Sequence, residues 1–198
     1  MATHQKQEDP EANIRFPSES LILATDGYNP LLKVIQPKTK FLETMGTYRN
    51  RCHWIYPLEA VYLLNTNNAI IMHNNVPMTR QEARYLLEQH NIPWFSYVVY
   101  KLLKDRGYCI RVVRNVYFDI YTPEGYTIQS EDILPKHKVI CCGCEELGRA
   151  SDLQCADLNL FTRLAWDWRQ PSTILALTRN GRVTFYTVSN GDIETIEV

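Results

Sequence analysis

Three groupings of residues in this chain could do chemistry. Cys141-Cys142-Gly143-Cys144 holds a Cys-x-x-Cys spacing, with His137 and Cys155 nearby. Thiolate and imidazole are zinc ligands, but a structural zinc site usually draws on a second paired motif, and the sequence has none. Cysteines inside an apolar run more often act as small hydrophobes, so the reading is no metal at Cys141 or Cys144 and no cofactor. The second grouping is basic. Residues 27–56 hold Lys33, Lys38, Lys40, Arg49 and Arg51 against one acidic residue, Glu43. Such a patch can contact phosphates, each neutralised phosphate releasing counterions. Its competing reading is a solvated loop whose charges cluster. The third grouping is aromatic: Tyr97, Tyr100, Tyr108, Trp166 and Trp168 could stack on bases, although aromatics at helical spacing are usually core.

The composition bounds what these groups can belong to. A chain of 198 residues, 45% hydrophobic, can bury one sizeable core or two small ones. Its net charge of -1 gives no global reason to bind nucleic acid, so only the local patch argues for it. The longest unbroken apolar runs are about five residues, far short of a membrane span. No basic start leads into an apolar stretch, so no secretory signal is expected. Six cysteines without secretory context read as reduced thiols of the cytosol or nucleus.

The elements that must position these groups are legible in part. Residues 1–17 are polar and read as a disordered tail. Two apolar runs, residues 20–24 and 31–36, flank Asp26-Gly27-Tyr28-Asn29-Pro30 and predict a hairpin. Residues 57–65 read as a helix with Pro57 in its first turn, and residues 69–73 as a short strand. Thr79 and Glu82 form a capping box ahead of Ala83, Leu86 and Leu87. Pro93 opens a further helix in which Phe95, Val98, Val99, Leu102 and Leu103 make one apolar stripe, ended by Gly107. These helices and their flanking strands predict a small N-terminal winged-helix-like α+β domain over residues 18–106.

From residue 107 the period changes to two. Residues 108–113 and 116–121 predict a hairpin across Arg114-Asn115, and residues 139–142 another strand. Residues 151–168 read as a helix opened by a second capping box, Ser151 with Gln154. Residues 173–177 and 182–188 predict strands joined at Asn180-Gly181. Val183, Phe185 and Val188 alternate with polar residues in what reads as the last strand of the sheet. An unpaired edge invites strand addition, so Val183, Phe185, Tyr186 and Val188 are the partner-interface candidates.

The order of motifs carries a resemblance. Lys40-Phe41-Leu42-Glu43-Thr44-Met45-Gly46, then Tyr56-Pro57-Leu58-Glu59-Ala60-Val61-Tyr62-Leu63-Leu64, then Val76-Pro77-Met78-Thr79-Arg80-Gln81-Glu82-Ala83, and last residues 95–108 resemble the non-catalytic structural subunits of eukaryotic tRNA-splicing endonuclease, the Sen-fifty-four type, in compact form. The resemblance runs from about residue 21 to 188 and is strongest over 40–113. It implies that residues 107–198 form an endonuclease-fold C-terminal domain of the tRNA-intron-endonuclease type, a nuclease-like α/β fold. It also implies a heterotetramer containing a Sen-two-type catalytic subunit and two further subunits, with precursor tRNA as substrate, a nuclear location with the cytoplasm left open, and no membrane span. Lys38, Lys40, Arg49 and Arg51 then become candidates for contact with tRNA.

In active members of that family a Tyr-His-Lys set cuts RNA through attack of a ribose 2′-hydroxyl on its own phosphate, which needs a base, an acid and a cation. Tyr121 and His137 resemble the first two, and here read as vestigial. The lysine position falls on Gln170 or Pro171, neither of which can neutralise the transition state. The chain is therefore expected not to be an enzyme, with Tyr121 a strand residue and His137 a surface-loop residue. A second departure is the turn at Arg179-Asn180-Gly181-Arg182, which is basic where the family expects an acidic hairpin. Two other readings stand beside this one: a winged-helix-like nucleic-acid adaptor unrelated to splicing, and an active metal-independent ribonuclease using Tyr121 and His137.

Overall fold

The computed structural model describes residues 20–124, 126–128, 133–144, 153–155, 172–189 and 192–197. The tail expected over residues 1–17 lies outside them, as do Trp166, Trp168, Gln170 and Pro171.

Turn chemistry builds the first sheet. β1 (Leu21–Thr25) and β2 (Leu32–Gln36) pair antiparallel as the sequence predicts. Asp26 shapes the reversal, its Oδ1 accepting the N–H groups of Tyr28 at 2.9 Å and Asn29 at 2.8 Å. After the single turn of α1 (Thr39–Leu42), β3 (Thr47–Arg49) and β4 (Cys52–Ile55) form a hairpin that the sequence reading did not anticipate. Its tip is Asn50-Arg51, both at positive φ (52° and 61°), the geometry of a type I′ turn without a glycine. α2 (Pro57–Asn65), β5 (Ala69–His73) and β6 (Val76–Pro77) follow, and β5 runs parallel to β1. The strand order is β3-β4-β2-β1-β5-β6. α3 (Arg80–Gln89) begins at the expected capping box: Thr79 Oγ1 accepts Glu82 N–H at 3.2 Å, and Glu82 Oε2 accepts Thr79 N–H at 2.6 Å.

α4 (Trp94–Asp105) joins the two halves of the chain, and Gly107 follows it at φ 89°. The second sheet then assembles from β7 (Cys109–Arg114), β8 (Tyr117–Tyr121), β9 (His137–Cys144), β10 (Leu153–Cys155), β11 (Ser172–Arg179), β12 (Arg182–Ser189) and β13 (Asp192–Ile196). Its order is β13-β12-β11-β9-β8-β7, with β9 and β11 parallel and the other neighbours antiparallel. The described residues thus form a mixed α+β structure of two sheets and few helices.

One cluster of buried residues runs through both halves. It takes Leu21, Leu23, Leu32, Ile55 and Ile71 from the first sheet, and Ile110, Phe118, Ile120, Val139, Ile174 and Ala176 from the second. Helices α2, α3 and α4 supply Leu58, Val61, Leu86, Phe95, Val99 and Leu103. The stripe on α4 is wider than its spacing predicts, because Tyr97 and Tyr100 are buried as well as Phe95, Val99 and Leu103. The helix touches α2 as well as β7, β9 and β11, so more than one of its faces is covered.

Three expectations are corrected. Leu153–Cys155 is a strand paired antiparallel to Cys142–Cys144, not the first turn of a helix. β8 covers β9 only as far as Ile140, and the backbone beyond needs a partner that β10 supplies. The rest of that expected helix lies outside the described residues. β12 is not an edge, because β13 pairs with it from Phe185↔Ile196 to Ser189↔Asp192. His137 is not a loop residue; it opens β9 and is half-buried.

The approach of α4 to β9 leaves no room at Gly143, where a Cβ would stand 2.3 Å from Cγ of Phe95. Gly143→Ala is expected to destabilise the fold by about 1–3 kcal/mol, the usual cost of overpacking a core. Phe95→Leu in that background should recover part of the loss. Denaturant unfolding midpoints check both.

Candidate functional site

Tyr121 and His137 lie on the paired strands β8 and β9 without facing each other. Ile120, not Tyr121, pairs with His137 across β8 and β9, while Tyr121 pairs with Cys109 across β7 and β8. Residues directly opposite share a face and successive residues alternate, so Tyr121 and His137 project to opposite faces. His137 Nδ1 lies 2.5 Å from the Ser172 hydroxyl, at the start of the parallel β11. Its pKa is lowered by burial and then by Lys136, so the ring is neutral at pH 7.

Tyr121 is packed into a polar layer behind the sheet. Its ring stacks on Tyr126 with centroids 4.3 Å apart. The Arg111 guanidinium lies 5.2 Å from the Tyr121 centroid and 5.9 Å from that of Tyr126. Tyr121 is only 2% exposed, and burial raises its phenol to about 12. Arg111, Asp119 and Lys138 form a row directly across β7, β8 and β9 on this same face. The sequence reading missed Arg111 and Tyr126. No local spacing marks them; register alone brings Arg111 to Tyr121, and the loop after β8 brings Tyr126.

The basic candidates share the region between α1 and the β3–β4 hairpin. Lys38 precedes α1, with its ammonium 5.8 Å from the Phe41 ring centroid, and Lys40 lies within the helix. Arg49 ends β3 and Arg51 occupies the turn. Lys40, Arg49 and Arg51 are exposed and Lys38 is half-buried. What holds this region is Glu59, in the first turn of α2. Glu59 Oε1 accepts the Gly46 N–H and Oε2 the Tyr56 N–H, both at 3.0 Å. One carboxyl group therefore ties the segment entering β3 to the start of α2. Gly46 has no alternative at φ 78°, where a Cβ would meet the Trp54 carbonyl oxygen at 2.2 Å.

The other candidates are dispersed. Phe185 is buried in the chain's own core with Arg106 over its ring at 5.8 Å, while Val183 and Tyr186 are half-buried. Val188 lies on β12, whose two neighbours are β11 and β13. Arg179 and Arg182 face each other across the β11–β12 turn, both exposed. Cys141 is fully buried in β9 at the core cluster, and burial holds its thiol well above the ordinary value. Cys144 is the last residue of the same strand. Tyr97 and Tyr100 belong to the core as well.

Glu59 gives the fold a pH dependence. Burial raises its pKa to about 7, against the lowering effect of the two N–H donors and, behind them, Lys104. A carboxyl group with a raised folded-state pKa stays protonated in the native state while the unfolded chain ionises. Stability from this group is therefore full below pH 4.5 and is lost as the pH rises to about 7, by about 3 kcal/mol. Glu59→Gln should flatten this fall, measured by thermal unfolding between pH 4.5 and 8.

Two comparisons bear on this arrangement. No family model matches the chain. Over 81 residues, 40% of the chain, it is 31% identical to the mouse (Mus musculus) protein described as tRNA-splicing endonuclease subunit Sen54. The matched stretch spans only 15% of that protein's length, so the similarity is to a part of it.

Proposed function

We propose that this chain is a non-catalytic structural subunit of a tRNA-splicing endonuclease, the assembly that recognises precursor tRNA and cuts it at both splice sites to release the intron. The observation that carries the reading is the 81-residue match to the mouse subunit. It agrees with the order of motifs over residues 40–113. The site geometry supports the non-catalytic part, since Tyr121 is sealed between Arg111 and Tyr126 and projects away from His137. In this proposal the chain works in the nucleus within a heterotetramer and pairs with a Sen-two-type catalytic subunit. Its N-terminal half corresponds to a winged-helix-like domain and its C-terminal half to an endonuclease-fold domain, dividing near residue 107.

Co-expression with the three other subunits tests the assembly: recovery of one complex is expected, and failure to recover the catalytic subunit would sink the reading. The chain alone should not cleave an intron-containing precursor tRNA in single-turnover assays. Cleavage abolished by Tyr121→Phe would favour the active ribonuclease instead.

Within the complex, Lys38, Lys40, Arg49 and Arg51 contact tRNA phosphates. Changing all four to alanine should lower affinity and flatten its logarithmic salt dependence by about three units, roughly 0.7 to 0.9 for each lost contact. An unchanged slope would remove these residues from the RNA surface. For the partner surface, the sheet edge at β13 replaces β12. Alternate residues of an edge strand turn their N–H outward, so of Glu194→Pro and Thr195→Pro one removes an outward donor and leaves the β12 ladder intact. That variant should keep its fold and lose the catalytic subunit in pull-down assays.

A further inference from the structure

The open edges of the two sheets come together at β3 and β7, the end strands of their respective orders. A pocket of about 180 Å³ lies between them, lined by Thr47 and Arg49 from the first edge, Arg111 and Val112 from the second, and Tyr56 and Tyr126. Glu59, only 1% exposed, also borders it. The polar groups of this lining are one-sided. The Arg111 side chain is hydrogen-bonded to the Tyr126 phenol, and a guanidinium can only donate. The Tyr126 oxygen is therefore the acceptor, which leaves its O–H proton for another partner. Arg49 and Arg111 both act electrostatically on the Tyr56 phenol, so the two guanidinium groups converge on one hydroxyl. Burial raises both phenols above their ordinary value, and each keeps its proton at neutral pH.

The nearby carboxyl groups do not use up these donors. Both Glu59 oxygens already accept backbone N–H groups, from Gly46 and Tyr56. Asp119 lies between Arg111 and Lys138 across β7, β8 and β9, so that row of three keeps one positive charge in excess. Among the described residues no carboxylate pairs with Arg49.

We propose that this pocket binds a single phosphate group, held by Arg49, Arg111 and the hydroxyls of Tyr56 and Tyr126. Two cations and two O–H donors around one small space need an acceptor with lone pairs aimed in several directions, which a tetrahedral oxyanion has. A planar carboxylate offers two oxygens and is satisfied by one guanidinium fork. The proposal deepens the reading of Arg49 as an RNA contact and rests on that reading for the source of the phosphate, a phosphodiester of a bound strand. Arg49 is exposed and so belongs both to the pocket and to the basic patch outside it.

Thermal unfolding of the full chain tests the pocket, with sodium phosphate replacing sodium chloride at constant ionic strength and pH 6. At that pH Glu59 is largely neutral, and inorganic phosphate is mostly a monoanion, as a phosphodiester is. A saturating rise in the midpoint is expected, because a ligand of the native state stabilises by mass action. Phosphate also stabilises by exclusion from the surface, an effect that does not saturate and that variants share. Arg49→Ala, Tyr56→Phe and Tyr126→Phe should each weaken the apparent phosphate affinity about tenfold or more, the worth of one hydrogen bond to a charged group. The phenylalanine variants keep both rings, and Arg49 is exposed, so the three do not depend on one another for a folded sample. Anisotropy of a short labelled single-stranded RNA then separates the sources. Binding that inorganic phosphate competes away and that Tyr126→Phe weakens assigns the pocket to a strand; RNA binding indifferent to Tyr126 assigns it to a small phosphate ligand.

An equal phosphate response in wild type, Arg49→Ala and Tyr126→Phe overturns the proposal. So does a response that disappears instead with Lys38→Ala, Lys40→Ala and Arg51→Ala combined, since the effect would then belong to the patch at large. An equal saturating response to sodium acetate would make the pocket a carboxylate site and overturn it as well. The two proposals fail separately. Recovery of the endonuclease complex on co-expression, with no phosphate response in the chain, leaves the subunit standing without this pocket.

Discussion

The contact of Phe95 with Gly143 is the constraint on which the two halves of the chain depend. A helix as short as α4 is marginal in water and takes its stability from the surface it buries. Phe95, Val99 and Leu103 are each buried almost completely, worth about 1.5–3 kcal/mol apiece on removal from water. That burial requires the helix to approach β9 more closely than a Cβ at Gly143 would permit. Because the same helix also touches α2, its position sets the frame for both sheets. Moving it would shift Trp94 at its start and Phe118 beneath Tyr100 together.

The face of the second sheet turned away from α4 follows a different rule. There Arg111, Asp119 and Lys138 are half-buried side by side, and charge has to be paired rather than packed. Asp119 is raised by burial and steadied by Tyr117, Lys138 and Arg111. Arg111 is covered on one side by Tyr121 and Tyr126, an arrangement worth more when partly desolvated than in open water. Freeing Tyr121 for chemistry would break the stack with Tyr126 and uncover the guanidinium at once. The same loop is pinned further along, where Ile128 N–H donates to the Glu43 carbonyl oxygen at 2.9 Å. The polar layer therefore works as a joint between the loop after β8 and the region that carries the basic residues.

The parts of this structure legible in sequence are those written in local chemistry. The capping box at Thr79, the helix opened by Pro57, the stop at Gly107 and the Asn180-Gly181 hairpin are all present. Two hairpins escaped because Asn50-Arg51 and Asn74-Asn75 reach positive φ without glycine, which asparagine tolerates and a glycine-based search overlooks. The element at residues 153–155 was misread because its capping-box pattern competes with a non-local demand, the unpaired stretch of β9. β13 is not legible because Asp192-Ile193-Glu194-Thr195-Ile196 does not alternate apolar and polar residues at a period of two. The candidate site was legible only as residue types. That Tyr121 and His137 point to opposite faces depends on register between β8 and β9, which is fixed by long-range pairing.

The second sheet presents charge of opposite sign at two places, and this constrains any partner. The tip of the β11–β12 hairpin is basic, with Arg179 and Arg182 exposed. The edge strand β13 carries exposed Glu194, and Glu197 follows it, also exposed. Charges on an edge strand discourage indiscriminate pairing, since a like-charged strand meets repulsion at each opposed position. A strand added to β13 must therefore bring lysine or arginine opposite Glu194, or leave that carboxylate facing solvent. The hairpin tip by the same logic favours an anion, whether phosphate or carboxylate. A single acidic loop from a neighbour cannot serve both places. If one partner supplies the edge pairing, the basic tip is left for an anion from elsewhere.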